Sequence, residues 1–398
     1  MSKKIMILGA SILQLPAIEK AKEMGLDVIA VDMNSEAIAF NVPGVKKEII
    51  STIDSPAIVE VAKKHQIDGI MTLATDMPMR SVAAVAKAMG LVGIDEETAL
   101  KATNKVEMRK ALQAGGVPIP KFIKVSNEEE YREAVKQFNV PFIVKPADNS
   151  GSRGIFEVID FTNEKLIKKA YDYSKPHSRV GDVVVEEYMR GLEVSVETLS
   201  VDGVCHVIQI TDKLTTGAPH YVEMGHSQPT VHDSEMAFRI AEVAKMANKA
   251  IGIKNGPSHT EIIITSEGPK IVEIGARLGG DNITTHLVPL STGIDMVECC
   301  IKIALGEKPD MKEKWSKGSA IRYFEQKEGI IKSIEGIEQA EKVRGIQQIS
   351  IIHGVGEKVT EINSSGARMG FVIAQDKNAV TAVADCENAL QKIEVEIR

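Results

Sequence analysis

The sequence predicts an α/β unit on a parallel sheet, then an α+β unit, then a small β-rich C-terminal unit. Three observations carry this. Over residues 1–93 short apolar runs alternate with amphipathic stretches, the pattern of βαβ units with helices on both faces of a sheet. Through the middle of the chain, strand-like runs are joined by tight turns at Asp202-Gly203 and Glu267-Gly268, as antiparallel hairpins are. From Lys308 glycines punctuate a β-rich stretch that closes with one helix. The expected boundaries are 1–93, 94–307 with a subdomain at about 121–188, and 308–398.

In order, Lys4–Leu8 reads as a buried strand, followed by Gly9-Ala10-Ser11 and a helix over Gln14–Met24. Strands at Asp27–Val31, Glu48–Ile50 and Gly69–Leu73 alternate with helices at Pro56–His65 and Met77–Met89. Helices at Glu96–Ala102 and Lys105–Ala114 stop at Gly115-Gly116-Val117-Pro118. Strand Lys121–Val125, helix Asn127–Phe138 and strand Phe142–Lys145 lead to the polar loop Asp148–Gly154 and a further strand Ile155–Ile159. Strands are expected at Val183–Glu187, Glu193–Ser200 and Val204–Asp212, then a helix at Ser234–Ile251, strands at His259–Thr265 and Pro269–Ile274, and a last helix at Asn378–Lys392.

Composition narrows the function. The 398 residues, 43% hydrophobic and 26% charged, suit two or three globular domains and exclude a disordered, collagen-like or coiled-coil chain. A formal charge of −7 argues against general binding to nucleic-acid phosphates. No apolar run approaches the roughly 20 residues of a membrane span. The four cysteines fit neither a zinc spacing nor a disulfide framework, so the expected setting is the reduced cytoplasm.

Four groups of residues could carry chemistry. Gly9-Ala10-Ser11 with Asp32 could seat an anion and a ribose, but the glycine spacing of a dinucleotide site is incomplete, and a plain tight turn is the simpler reading. Lys145 ends an apolar strand and aims at the loop after it; with Lys105 and the loop residues Ser150, Ser152 and Gly154 it could hold a polyphosphate, the alternative being surface lysines beside a loose hairpin. Glu186-Glu187-Tyr188-Met189 could offer an extended backbone edge to adenine and Glu193 a carboxylate to ribose, or form an ordinary strand end. Centring a hairpin on Glu267 places Glu261 opposite Glu273, about 5 Å apart. Two such acids repel unless a cation lies between them, and Mg²⁺ (or Mn²⁺) with phosphate oxygens suits the pair. Arg277, in Glu273-Ile274-Gly275-Ala276-Arg277-Leu278-Gly279-Gly280, could stabilise a phosphoryl group in transfer, or pair structurally with an acid such as Asp281. His226, in Gly225-His226-Ser227-Gln228-Pro229, reads as a pocket donor on a loop.

Taken together, these motifs resemble the ATP-grasp superfamily over nearly the whole chain. Gly225–Pro229, His259-Thr260-Glu261 and Val272–Gly280 are similar to its L-amino-acid ligase and carboxylate–amine ligase branch. The resemblance implies an ATP-grasp fold with a Rossmann-like N-terminal unit, and an ADP-forming ligase that couples a carboxylate to an amine through an acyl phosphate. It implies phosphate contacts from Lys105 and Lys145, a closing loop over Ser150–Gly154, adenine at Glu186–Met189, ribose at Glu193, metal at Glu261 and Glu273, and substrate at His226, Arg277 and Gly280. Many members carry Glu-x-Asn-x-Arg where this chain has Gly275, so a second metal would lack that ligand. Small-molecule partners and a homodimer are expected. The nearest alternative keeps the fold but makes a carboxylase or a formate-using ligase of nucleotide synthesis; an NAD-dependent oxidoreductase and a nucleotide sensor are more distant.

Overall fold

The computed structural model describes residues 2–149, 151, 153–218 and 220–398. The N-terminal unit comprises β1 (Lys4–Leu8), α1 (Leu15–Glu23), β2 (Asp27–Val31), β3 (Lys46–Glu48), α2 (Ser55–His65), β4 (Gly69–Thr72) and α3 (Met79–Met89). Its four strands are parallel in the order β3-β2-β1-β4. Burial on both faces explains why β1 is a continuous apolar run. Met6 and Leu8 enter one core cluster while Ile5 and Ile7 enter another.

Helices α4 (Glu96–Thr103) and α5 (Lys105–Ala114) follow. Asn104 ends the first and caps the second, its side chain accepting from the N–H groups of Val106 and Glu107. That break places Lys105 on the first turn of α5. Next come β5 (Phe122–Val125), α6 (Glu128–Val135), β6 (Phe142–Pro146), β7 (Phe156–Val158), α7 (Glu164–Ser174) and β8 (Val183–Glu187). The strands form an antiparallel sheet, β5-β8-β6-β7, and the two helices pack on its core around Tyr131, Phe142 and Tyr171.

The chain then lays down β9 (Leu192–Val201), β10 (Val204–Thr215), β11 (Glu223–Gln228), α8 (Ser234–Ile251), β12 (Gly256–Thr265) and β13 (Gly268–Gly275). It continues with α9 (Val288–Thr292), α10 (Met296–Ala304), β14 (Gly318–Tyr323), β15 (Gly329–Glu335), α11 (Ile337–Glu341), β16 (Ile346–Ile351), β17 (Lys358–Val359), β18 (Gly370–Asp376), α12 (Ala379–Leu390) and β19 (Glu394–Ile397). One eight-stranded sheet runs β13-β12-β9-β10-β11-β14-β18-β16, so strands on both sides of residues 307–308 are hydrogen-bonded into a single sheet. Strands β17, β15 and β19 form a small sheet beside it.

Candidate active site

Cross-strand partners share a face of a sheet. In the large sheet Lys213 pairs with His226, His259 with Glu197 and Gly275, and Glu261 with Ser195 and Glu273. The ionisable residues therefore gather on one face. The other face, with Val194, Val196, Ile262 and Ile274, packs against Ile240, Val243 and Ala244 of α8. His226 is thus a buried strand residue in the middle of the sheet, not a loop donor as expected.

Glu261 does lie opposite Glu273, but two irregularities cancel to put it there. The hairpin closes with Thr265 against Gly268 and continues as Ile262 against Ile271, half a residue out of the expected symmetry. A register shift then skips Val272 and restores the pairing of the two glutamates. The skipped residue is anchored, since its carbonyl accepts from Arg109 Nη2 at 2.8 Å.

Each of the two acids is paired with a lysine. Glu273 Oε1 accepts from Lys105 Nζ at 2.9 Å, and the same ammonium reaches the Asn149 carbonyl at 2.9 Å. Glu261 lies 3.1 Å from Lys213 Nζ, which also binds Glu193 at 2.5 Å and approaches Glu223 at 3.6 Å. Lys213 had no expected role. Burial opposes its charge, but the three glutamates hold its pKa well above the usual lysine value. Glu261 follows the reverse course: burial raises it, yet Lys213 and His259 keep it well below the usual carboxylate range. Glu193 carries the leftover strain, raised by burial and by the charge of Glu261.

His259 Nδ1 lies 2.6 Å from Glu197 Oε1, and Nε2 lies 3.6 Å from Glu261. Burial alone would depress the imidazole, but Glu197 overrides it and lifts the pKa to about 9. A pKa raised above the unfolded value of 6.5 contributes stability fully present below about pH 6.5 and lost as pH rises through about 9. Stability should fall across that window by up to about 3 kcal/mol, and His259→Gln should flatten the decline. Urea denaturation at a series of pH values checks this; parallel profiles for both proteins would contradict it. Gly279 is needed beside this pair, because a Cβ there would lie 2.8 Å from His259 Nδ1 and 2.9 Å from Glu197 Oε2.

The Glu186 side chain lies among cations. Its carboxylate, 1% exposed, accepts from Arg109 Nε at 2.7 Å and Nη2 at 3.0 Å, and Lys145 Nζ lies 3.0 Å away. Burial raises its pKa, but Arg109 and Lys145 win and hold it at about 2. So the Glu186 side chain braces Lys145. The N–H groups of Glu187 and Tyr188 are taken by the carbonyls of Lys121 and Pro141. Tyr188 Oη lies 2.8 Å from Tyr221 Oη. Ser150 and Ser152 lie outside the described residues. Gly154, at φ +81°, packs against His177 and Pro146, where a Cβ would come within 2.5 Å of the histidine.

Arg277 donates from Nε and Nη2 to Asp76 at 2.9 and 3.2 Å. Asp281, the acid nearer in sequence, instead pairs with Arg368 at 2.7 and 2.9 Å and lies 3.4 Å from His226 Nε2. Gly280 lies against Ala74, where a Cβ would meet its methyl at 3.4 Å. The N-terminal turn is filled by protein: Asp32 accepts from the Ala10 N–H at 2.9 Å, and Gln14 spans from Ser11 to the Leu73 carbonyl. This supports the plain-turn reading over a dinucleotide site.

Among the described residues no three His, Cys, Asp or Glu side chains cluster closely enough to hold a metal ion. The two facing glutamates are nonetheless the donor set that suits Mg²⁺, which takes one or two carboxylates and completes its shell with phosphate oxygens and water. No helix among the described residues is long and apolar enough to cross a membrane.

Comparison with known proteins agrees with this geometry. An ATP-grasp domain model matches residues 138–285, and a model of the L-amino acid ligase C-terminal domain 2 matches residues 322–398. The L-arginine-specific L-amino acid ligase of Bacillus subtilis is 26% identical over 332 residues, 82% of this chain and 80% of that protein. A formate-dependent phosphoribosylglycinamide formyltransferase of Sulfurisphaera tokodaii is 26% identical over 384 residues, 94% of this chain and 92% of that protein. The crystal structure of an L-amino acid ligase from Bacillus licheniformis superposes over 100% of this chain and 99% of its own with a TM-score of 0.85 at 22% identity, which bears on the fold. Residues 138–285 thus match an ATP-grasp domain and residues 322–398 the L-amino acid ligase C-terminal domain 2, and over most of its length the chain is similar to L-amino acid ligases.

Proposed function

We propose that this protein is an ATP-dependent, ADP-forming ligase that activates the carboxylate of an amino acid and joins it to the amine of a second small molecule. The observation that carries the reading is one sheet face bearing Lys213, Glu261, Glu273 and His226, bordered by Lys105, Lys145 and Arg277. A carboxylate oxygen attacks the γ-phosphorus of ATP, the bond to the β-phosphate oxygen breaks, and ADP leaves. The amine then attacks the acyl carbon, sheds a proton, and phosphate departs with the oxygen that came from the carboxylate. Such transfer is largely positioning and charge neutralisation.

In this proposal Lys105 and Lys145 hold the α- and β-phosphates. Adenine lies along Glu186–Met189, where the Met189 N–H has no partner among the described residues. Glu193 takes the ribose, and His226, Arg277 and Gly280 meet the substrates. Glu261 and Glu273 would hold Mg²⁺, which when bound neutralises charge on the transferring phosphates. The enzyme would act in the cytoplasm as a homodimer, and all four cysteines are free thiols, consistent with a reducing setting.

The test is phosphate release over pairs of amino acids and amines, with mass spectrometry of the product. Glu273→Gln should abolish ADP formation while the melting temperature stays close to that of the wild type; undiminished turnover would contradict the metal assignment. The long alignment with the formyltransferase keeps one second reading in view, a formate or bicarbonate acceptor. It predicts ADP release with those anions and none with free amino acids.

A further inference from the structure

We propose that Asp76 is the positioning residue of Arg277, and that Gly275 is glycine to leave room for it. The proposal rests on the reading that Arg277 meets the transferring phosphoryl group. Asp76 and Arg277 come from opposite parts of the chain, 201 residues apart, yet their side chains are 13% and 15% exposed and joined by two hydrogen bonds. A two-point carboxylate–guanidinium contact fixes the guanidinium plane as well as its position. The backbone holds the two loops in register: Leu73 forms a parallel bridge with Leu278, and the Ala74 N–H donates to the Leu278 carbonyl at 3.3 Å. Ala74 sits at φ +62°, so the chain turns sharply just before the acid.

Residue 275 explains why the acid can enter. A Cβ at Gly275 would lie 2.5 Å from Asp76 Oδ1 and 3.3 Å from Arg277 Nε. Gly275 lies at the end of β13 without left-handed backbone, so the glycine serves space rather than conformation. Any side chain here pushes the carboxylate off the arginine. The N-terminal unit thereby supplies a polar group to a site built mainly on the large sheet.

A double-mutant cycle tests this. Wild type, Asp76→Ala, Arg277→Ala and the double variant are compared for phosphate release with saturating Mg-ATP and an equimolar mixture of the twenty L-amino acids. Binding of the non-hydrolysable analogue AMP-PNP is measured alongside. Asp76→Ala should lower the rate about 10- to 100-fold, as loss of a supporting partner does, with AMP-PNP affinity within about twofold. In the Arg277→Ala background it should cost nothing further, and Gly275→Ala should behave like Asp76→Ala. A substrate-free readout accompanies the cycle: the Nε–H resonance lost in Arg277→Ala should exchange slowly with water in the wild type and rapidly in Asp76→Asn and Gly275→Ala. Independent, multiplying effects in the cycle, or slow exchange in those two variants, would overturn the proposal. A full rate in Arg277→Ala would instead overturn the role of the arginine itself.

Discussion

Arg277→Ala is expected to lower the single-turnover rate about 10²- to 10³-fold while the ATP dissociation constant barely moves. The proposed contacts to ground-state ATP come from Lys105, Lys145 and the Mg²⁺ ion, so the guanidinium matters most while the phosphoryl group is in flight and while negative charge builds on the tetrahedral oxygen. Arg277→Lys keeps the charge and loses the planar fork, so it should restore only part of the rate. The alanine variant also leaves Asp76 without its partner, so a lower melting temperature accompanies the rate loss and does not by itself decide between roles. The rate at saturation decides. Lost stability and ATP affinity with an unchanged saturated rate would make Arg277 a structural residue.

Arg109→Ala should cost about 3–5 kcal/mol of folding stability, the usual result of removing one partner from a buried ion pair. Arg109 and Glu186 are 2% and 1% exposed, and the arginine ties α5 to β8 and, through the Val272 carbonyl, to the bulge that brings Glu273 opposite Glu261. Its loss leaves Glu186 with Lys145 alone and frees the bulge. Replacing both partners with methionine removes the uncompensated charge and should recover much of the stability. Arg109→Ala should also weaken ATP binding, because Lys145 would then be held by a displaced carboxylate. Guanidinium denaturation compares the variants; a loss below about 1 kcal/mol, typical of an exposed pair, would contradict the account.

The elements written in local periodicity were legible in the sequence. Strands Lys4–Leu8 and Asp27–Val31 and helix Lys105–Ala114 fall where the apolar runs and the Gly115-Gly116 stop put them. Helix Glu164–Ser174 carries equally clear signals, with Asn163 capping it and Ile167, Ala170, Tyr171 and Ser174 buried on one side, yet residues 160–182 held no expected element. Strand Glu223–Gln228 was harder, because a glycine and polar residues in a buried strand read as a loop.

Within the site, the spacing of acids and cations gave residue types but not pairings. Lys213 escaped notice because Thr211-Asp212-Lys213-Leu214 is an unremarkable strand end; only the register that faces it with Glu193 and His226 reveals it. The partners of Arg277 and Asp281 lie on loops and strands far away in sequence, and no local pattern links them. The facing glutamates were read from hairpin symmetry, whereas a shifted turn and the Val272 bulge produce them together.

In the proposed reaction a carboxylate is activated by direct transfer of the γ-phosphoryl group. Supplying amino acids labelled with ¹⁸O in the carboxyl group, together with Mg-ATP, and weighing the phosphate released tests it in one mass spectrum. Each phosphate formed should carry one ¹⁸O atom, in step with amide product and ADP. Unlabelled phosphate, or release that requires formate or bicarbonate in place of an amino acid, would contradict the account.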